Sequence, residues 1–266
     1  MIEKFNSRKV QIGIYTSLDF LPRFVSFLTL PLFLRIILPK YWGQIALLLV
    51  IQKIYTVLIQ HGIKSELLII PYKLRDNVRY HSKRILEMIS VFFLVLTAQH
   101  FLFQNFQFEF TLNSANWMLL SALFISISSH IRTTLNLQNK FGQFIGLSLT
   151  ELILVPSFQV IFVLREIFQA GFSSTGTVSA YMIGYSVGVL IAFGFYVPIF
   201  FKKLSRDKIE SFENNRNFKI ALLIQSLFIF SISFQDRFLI QYYLDSTQVA
   251  IYSSMDSIAR MAKLVP

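Results

Sequence analysis

The chain contains no cysteine, which excludes disulfides and thiolate metal sites and leaves no redox compartment to read. Charge is scarce as well. Asp, Glu, Lys and Arg make up 15% of the 266 residues, against about 25% in an ordinary soluble domain. No GxxxxGK phosphate loop occurs, so direct hydrolysis of a nucleoside triphosphate is not expected. The four His are scattered. Neither a cofactor nor a resident metal is expected, and no catalytic constellation stands out, so the expectation is a protein that is not an enzyme.

What the chain has in quantity is apolar surface: 54% hydrophobic residues, 29 Phe and a mean hydropathy of +0.57. Crossing about 30 Å of hydrocarbon at 1.5 Å per residue takes runs of about 20 apolar residues. Such runs are read at 10–38, 44–70, 85–103, 115–137, 144–164, 178–201 and 218–240, with an eighth beginning at 249. They are continuous rather than alternating, which predicts helices and not a barrel. The first run contains Asp19, Pro22 and Arg23 and lacks a small-residue cleavage site, so it reads as a span and not as a signal peptide. The fold class expected is an all-α polytopic membrane protein with seven or eight spans.

The basic residues divide unevenly between the two sides. Lys4, Arg8 and Lys9, then Lys73, Arg75, Arg79, Lys83 and Arg84, then Arg132 and Lys140, then the loop from Lys202 to Lys219, all fall on one side; the other holds only Arg35, Lys40 and Arg165. The positive-inside bias places the rich side, and with it the N-terminus, in the cytoplasm of a bacterial inner membrane. The net charge of +11 is therefore a topology signal and not a nucleic-acid footprint. His130, near the cytoplasmic end of the fourth span, reads as an interfacial residue. Gly184 and Gly188 read as a small-xxx-small packing pair.

Six bases remain at membrane depth: Arg23, Lys53, Lys64, Arg237, Arg260 and Lys263. Facing lipid, they would cost on the order of 15–20 kcal/mol together, so each needs an acid, another polar group or water. The acids at similar depth are Asp19, Glu66, Glu151, Asp236 and Asp256. Asp19 and Arg23, and again Asp256 and Arg260, have the four-residue spacing of a helical ion pair. Lys53, Gln60 and Lys64 fall on one helical face. Glu151 precedes Pro156 by five residues, which makes the pair a hinge, a proton site or neither. Together these residues point to a water-filled cavity lined with positive charge, suited to a phosphate or carboxylate head group.

Three motifs carry a resemblance. Pro31-Leu-Phe-Leu-Arg-Ile-Ile-Leu-Pro-Lys-Tyr-Trp-Gly43, then His61-Gly62-Ile63-Lys64, then the stretch from Asp236-Arg237 to Val249-Ala250-Ile251-Tyr252 resemble the bacterial polysaccharide flippases of the multidrug/oligosaccharidyl-lipid/polysaccharide exporter superfamily. Ala250 and Gln241 stand where that family commonly has Gly. The resemblance implies two similar six-helix lobes. This chain would then hold an N-terminal lobe (1–201), a cytoplasmic inter-lobe loop (202–217) and the first one or two helices of a C-terminal lobe (218–266), a truncated version of the family architecture. Leu38-Pro-Lys-Tyr-Trp-Gly-Gln44 and Leu244-Asp-Ser-Thr-Gln-Val-Ala250 echo one another at equivalent turns.

The resemblance also implies a lipid-linked oligosaccharide on an isoprenoid diphosphate, turned to the outer leaflet for O-antigen, lipopolysaccharide or capsule assembly. Its partners would be membrane lipids and the polysaccharide polymerase machinery, with no nucleic acid. Arg23, Lys53, Lys64, Arg237 and Arg260 would contact the substrate; Asp19, Glu151, Asp236 and Asp256 would couple an ion or pair the bases. The rivals are a cation-coupled drug antiporter of the same superfamily, whose cavity should favour acids and aromatics, and a membrane-embedded polysaccharide polymerase, which should carry a long external loop.

Overall fold

The computed structural model describes residues 25, 28–63, 66–67, 77–105, 110–171, 176–202, 204 and 216–262, without the side chains of 216–219, 230, 233 and 260–262. After a helical stretch at 28–36 come seven helices: α1 (Pro39–Gln60), α2 (Val78–Asn105), α3 (Leu112–Leu137), α4 (Phe141–Ala170), α5 (Gly176–Lys202), α6 (Arg216–Tyr243) and α7 (Ser246–Ala262). Five of them, α1 to α5, are long and apolar enough to cross a membrane, which is the pattern of a multi-pass membrane protein. In α6 the segments Ile220–Ile229 and Phe234–Tyr243 meet at 52°, and counted as one broken span they give a sixth. These counts are of the described residues: the first expected span lies largely outside them, and α7 is described over 17 residues, to Ala262.

Two boundaries differ from the sequence reading, each for a local reason. The second span was expected to run to residue 70, but α1 stops at Gln60. His61 (φ 30°) and Gly62 (φ 82°) enter left-handed conformations, and the His61 amide closes the last turn on the Val57 carbonyl. Of the expected stripe, α1 carries Lys53 and Gln60, and Lys64 lies outside the described residues. The third span was expected at 85 but starts at Val78, where the Asn77 side-chain oxygen accepts from the Arg79 and Tyr80 amides at 2.9 and 3.3 Å. Arg79, Lys83 and Arg84 thereby become helical residues.

Close approach of α4 and α5 depends on the two expected glycines. A Cβ at Gly184 would lie 2.5 Å from the Phe158 carbonyl oxygen, and one at Gly188 would lie 2.7 Å from Val155 Cα. Backbone meets backbone there, as the small-xxx-small spacing predicts. Polar bridges tie the remaining helices. Gln52 of α1 donates to Ser121 of α3, Gln99 of α2 to Asn116 of α3 at 2.8 Å, and Ser186 of α5 to the Trp117 carbonyl at 2.8 Å. The outward faces stay apolar: Phe93 and Leu94 on α2 and Phe195 on α5 are exposed, as lipid requires and water would penalise.

The last helix, α7, returns to pack on α1. Its start meets the start of α1 so closely that a Cβ at Gly43 would overlap the Ser246 carbonyl group. The two turns that echo one another in sequence thus touch in space. This contact sets the register of α7, and the register places Tyr252 and Asp256 opposite α6.

Candidate functional site

Three helices build one charged cluster around the Phe234 ring. Phe234 is buried against Val50 of α1, with Ile54 beside it. Lys53, one turn from Val50, holds its Nζ 4.6 Å from the ring centroid, and Arg237, one turn from Phe234, holds its Cζ 5.3 Å from the same centroid. Both distances fall in cation–π range. Lys53 stands 14 residues into α1, about 21 Å along its axis at 1.5 Å per residue, well inside a helix long enough to cross a membrane. Lys53 remains exposed whereas Arg237 is buried.

Arg237 donates to Asp256 of α7 at 2.7 Å. This bond crosses between helices; the partner expected for Asp256 along its own helix, Arg260, has its side chain outside the described residues. One turn before Asp256, the Tyr252 hydroxyl donates to Asp236 of α6, whose second oxygen accepts the Arg237 amide at 2.9 Å. Four of the expected site residues (Lys53, Asp236, Arg237 and Asp256) therefore come together. Asp19, Arg23 and Lys64 and the Arg260 side chain lie outside the described residues. Arg237 is not a free cavity base: a ligand must compete with Asp256 to engage it.

Glu151 belongs elsewhere. It accepts from Ser128 of α3 and pairs with Arg132, one turn on, at 3.2 Å. The carboxylate bridges α4 to α3, and the hinge and proton-site readings of Glu151 and Pro156 both have to start from an ion-paired acid.

A second buried network was not anticipated. Arg84, counted from the sequence among the exposed topology residues, is buried. It donates to Glu66, and through Nη1 to both oxygens of Glu87 at 2.8 and 2.6 Å, while its guanidinium lies 5.1 Å from the Tyr80 ring. His61 approaches Glu87 at 3.9 Å. His130, expected at the interface, is 1% exposed, and its Nε2 lies 3.0 Å from Nδ1 of His81, also fully buried. The signal was present in the spacing: His81, Arg84, Met88, Phe92 and Gln99 recur at three, four and seven residues, one helical face.

No protein-family model, curated protein or solved structure matches the chain.

Proposed function

We propose that the chain is a multi-pass inner-membrane transport protein that carries an anionic, lipid-borne head group from the cytoplasmic to the outer leaflet. The substrate class that fits best is a lipid-linked oligosaccharide on an isoprenoid diphosphate, which also follows from the resemblance. The observation that carries this reading is the meeting of Lys53 and Arg237 on one aromatic ring. Arg237 already shares its charge with Asp256, so the reading leans on Lys53, a charged side chain well inside a span-length helix, which is costly to keep in a bilayer without a use there. Diphosphate supplies the complementary charge, and Arg offers the fork that binds its oxygens in pairs.

Lys53, exposed at the rim, makes the first contact. The phosphates then displace Asp256 from Arg237, and the freed carboxylate loosens α7 from α6. With the Lys- and Arg-rich loops inside, the membrane potential assists, because outward movement of one negative charge gains about 2.3 kcal/mol per 100 mV. The isoprenoid tail stays in lipid throughout.

A drug–cation antiporter is the second reading. It is favoured by the acids and aromatics of the same cluster, Asp236, Asp256 and Tyr252. Proteoliposomes separate the two. With a fluorescent isoprenoid-diphosphate oligosaccharide, Lys53→Gln is expected to slow translocation about tenfold, the loss of one charge-assisted contact, while organic-cation flux stays at background. Unchanged lipid flipping, or cation flux driven by a proton gradient, would favour the antiporter.

A further inference from the structure

The face of α2 that turns away from the bundle changes character along its length. Arg79 and Lys83 are exposed in its first turns, and Leu86, Phe93, Leu94 and Phe101 are exposed beyond them. With Ser90 and Thr97 between them, also exposed, these positions recur at three and four residues. Cations and apolar side chains therefore form one continuous stripe on a single helix face.

The two hydroxyls indicate what covers that stripe. Ser90 donates to the Leu86 carbonyl at 3.0 Å and Thr97 to the Phe93 carbonyl at 2.9 Å. Both are satisfied within α2 and leave no donor for a protein partner, as a face in hydrocarbon requires. On the inward side of the same helix the polar group behaves differently, and Gln99 bonds across to Asn116 of α3 at 2.8 Å.

The cations are in the opposite condition. Neither Arg79 nor Lys83 makes an ion pair among the described residues. The acid best spaced for Lys83 is Glu87, one turn on, and both its oxygens already accept from Arg84. Two cations one turn apart thus stand where the apolar stripe begins, on stems long enough to set their charges among head-group phosphates. A zwitterionic lipid balances its phosphate with its own ammonium. An anionic phospholipid does not, and its phosphate is the group that two unpaired cations complement.

We propose that Arg79, Lys83 and the apolar stripe of α2 form a binding site for an anionic phospholipid, with the phosphate on the two cations and an acyl chain along Leu86, Ser90 and Phe93. The site requires that the chain span a membrane and is independent of the transported cargo.

The test uses the full chain in bilayers. Since the chain has no cysteine, Ser90→Cys and Thr97→Cys each take one bimane label, the first near the cations and the second further along the stripe. Brominated phosphatidylglycerol or brominated phosphatidylcholine, diluted in unbrominated phosphatidylcholine, quenches the label according to how often that lipid occupies the stripe. At position 90 phosphatidylglycerol is expected to be preferred about fivefold or more, the contribution of one Lys or Arg at an anionic surface. Arg79→Gln with Lys83→Gln should bring the two lipids to equal quenching, and the label at position 97 should show no preference. Equal quenching at position 90 without the Gln substitutions, a preference that survives them, or the same preference at position 97 would overturn the proposal. All four substituted side chains are exposed, and the two lipids are compared within one variant, so a change in stability does not imitate the result.

Discussion

Arg84→Met is expected to be the most destabilising single substitution in the described structure. Arg84 and Glu66 have side chains only 5% and 7% exposed, and Glu87 is held by two further bonds from the same guanidinium. Removing the cation takes the guanidinium from the buried Glu66 carboxylate, and from Glu87, whose side chain is 29% exposed and loses less. Breaking a buried pair from one side costs about 3–5 kcal/mol, a large share of the whole stability of a typical domain. The loss belongs to the abandoned acids and not to the missing Arg. Adding Glu66→Gln and Glu87→Gln to Arg84→Met should therefore recover most of it, since amides are cheaper to bury than carboxylates. Thermal unfolding in detergent measures both. A single variant as stable as wild type, or a triple variant no better than the single, would show that the network is not desolvated as described.

Gly43→Ala is expected to have the second-largest effect, because it strikes packing and the transport cluster together. The added Cβ would overlap the Ser246 carbonyl oxygen and lie 2.6 Å from the carbonyl carbon. Neither partner is a flexible side-chain end, so the start of α7 must move. The cost is about 3 kcal/mol, the top of the range for overpacking. Displacing α7 also pulls Asp256 from Arg237 and Tyr252 from Asp236, so translocation should fall more than protein yield does. Gly142→Ala is the internal control. Nothing lies within 4 Å of the place its new methyl group would take, and Ala is favoured over Gly in a helix by about 1 kcal/mol, so that variant should be neutral or slightly more stable. Equal behaviour of the two variants would contradict the close α1–α7 contact.

The membrane character and the long helices were legible in the sequence because length and hydropathy are imposed by the bilayer, whatever the tertiary fold. Gly184 and Gly188 were legible for a similar reason, since a small-xxx-small pair has few other uses in an apolar helix. Helix ends were not. His61 and Gly62 end α1 through backbone conformations that hydropathy does not register, and Asn77 starts α2 through one side-chain cap. Arg84 was misplaced for the same reason: once residues 73–84 are taken as a loop, every base in them is assigned to solvent. The charge pairs show a second limit. Spacing along one helix offers Arg260 to Asp256, but only tertiary packing offers Arg237. Lys53, Asp236, Arg237 and Asp256 were all picked out by depth and charge; their convergence depends on α6 packing Phe234 against α1 and on α7 bringing Asp256 to Arg237, which no local pattern encodes.

The claim on which the functional reading rests is that Lys53 and Arg237 recognise an anionic head group through its charge. Equilibrium binding to the purified chain in nanodiscs tests it most directly, comparing an isoprenoid diphosphate with the uncharged alcohol of the same tail and with a quaternary ammonium. The expected result is binding of the diphosphate alone, weakened about tenfold or more by Lys53→Gln and again by Arg237→Gln. Equal binding of the alcohol, or preference for the ammonium with both substitutions silent, would contradict it.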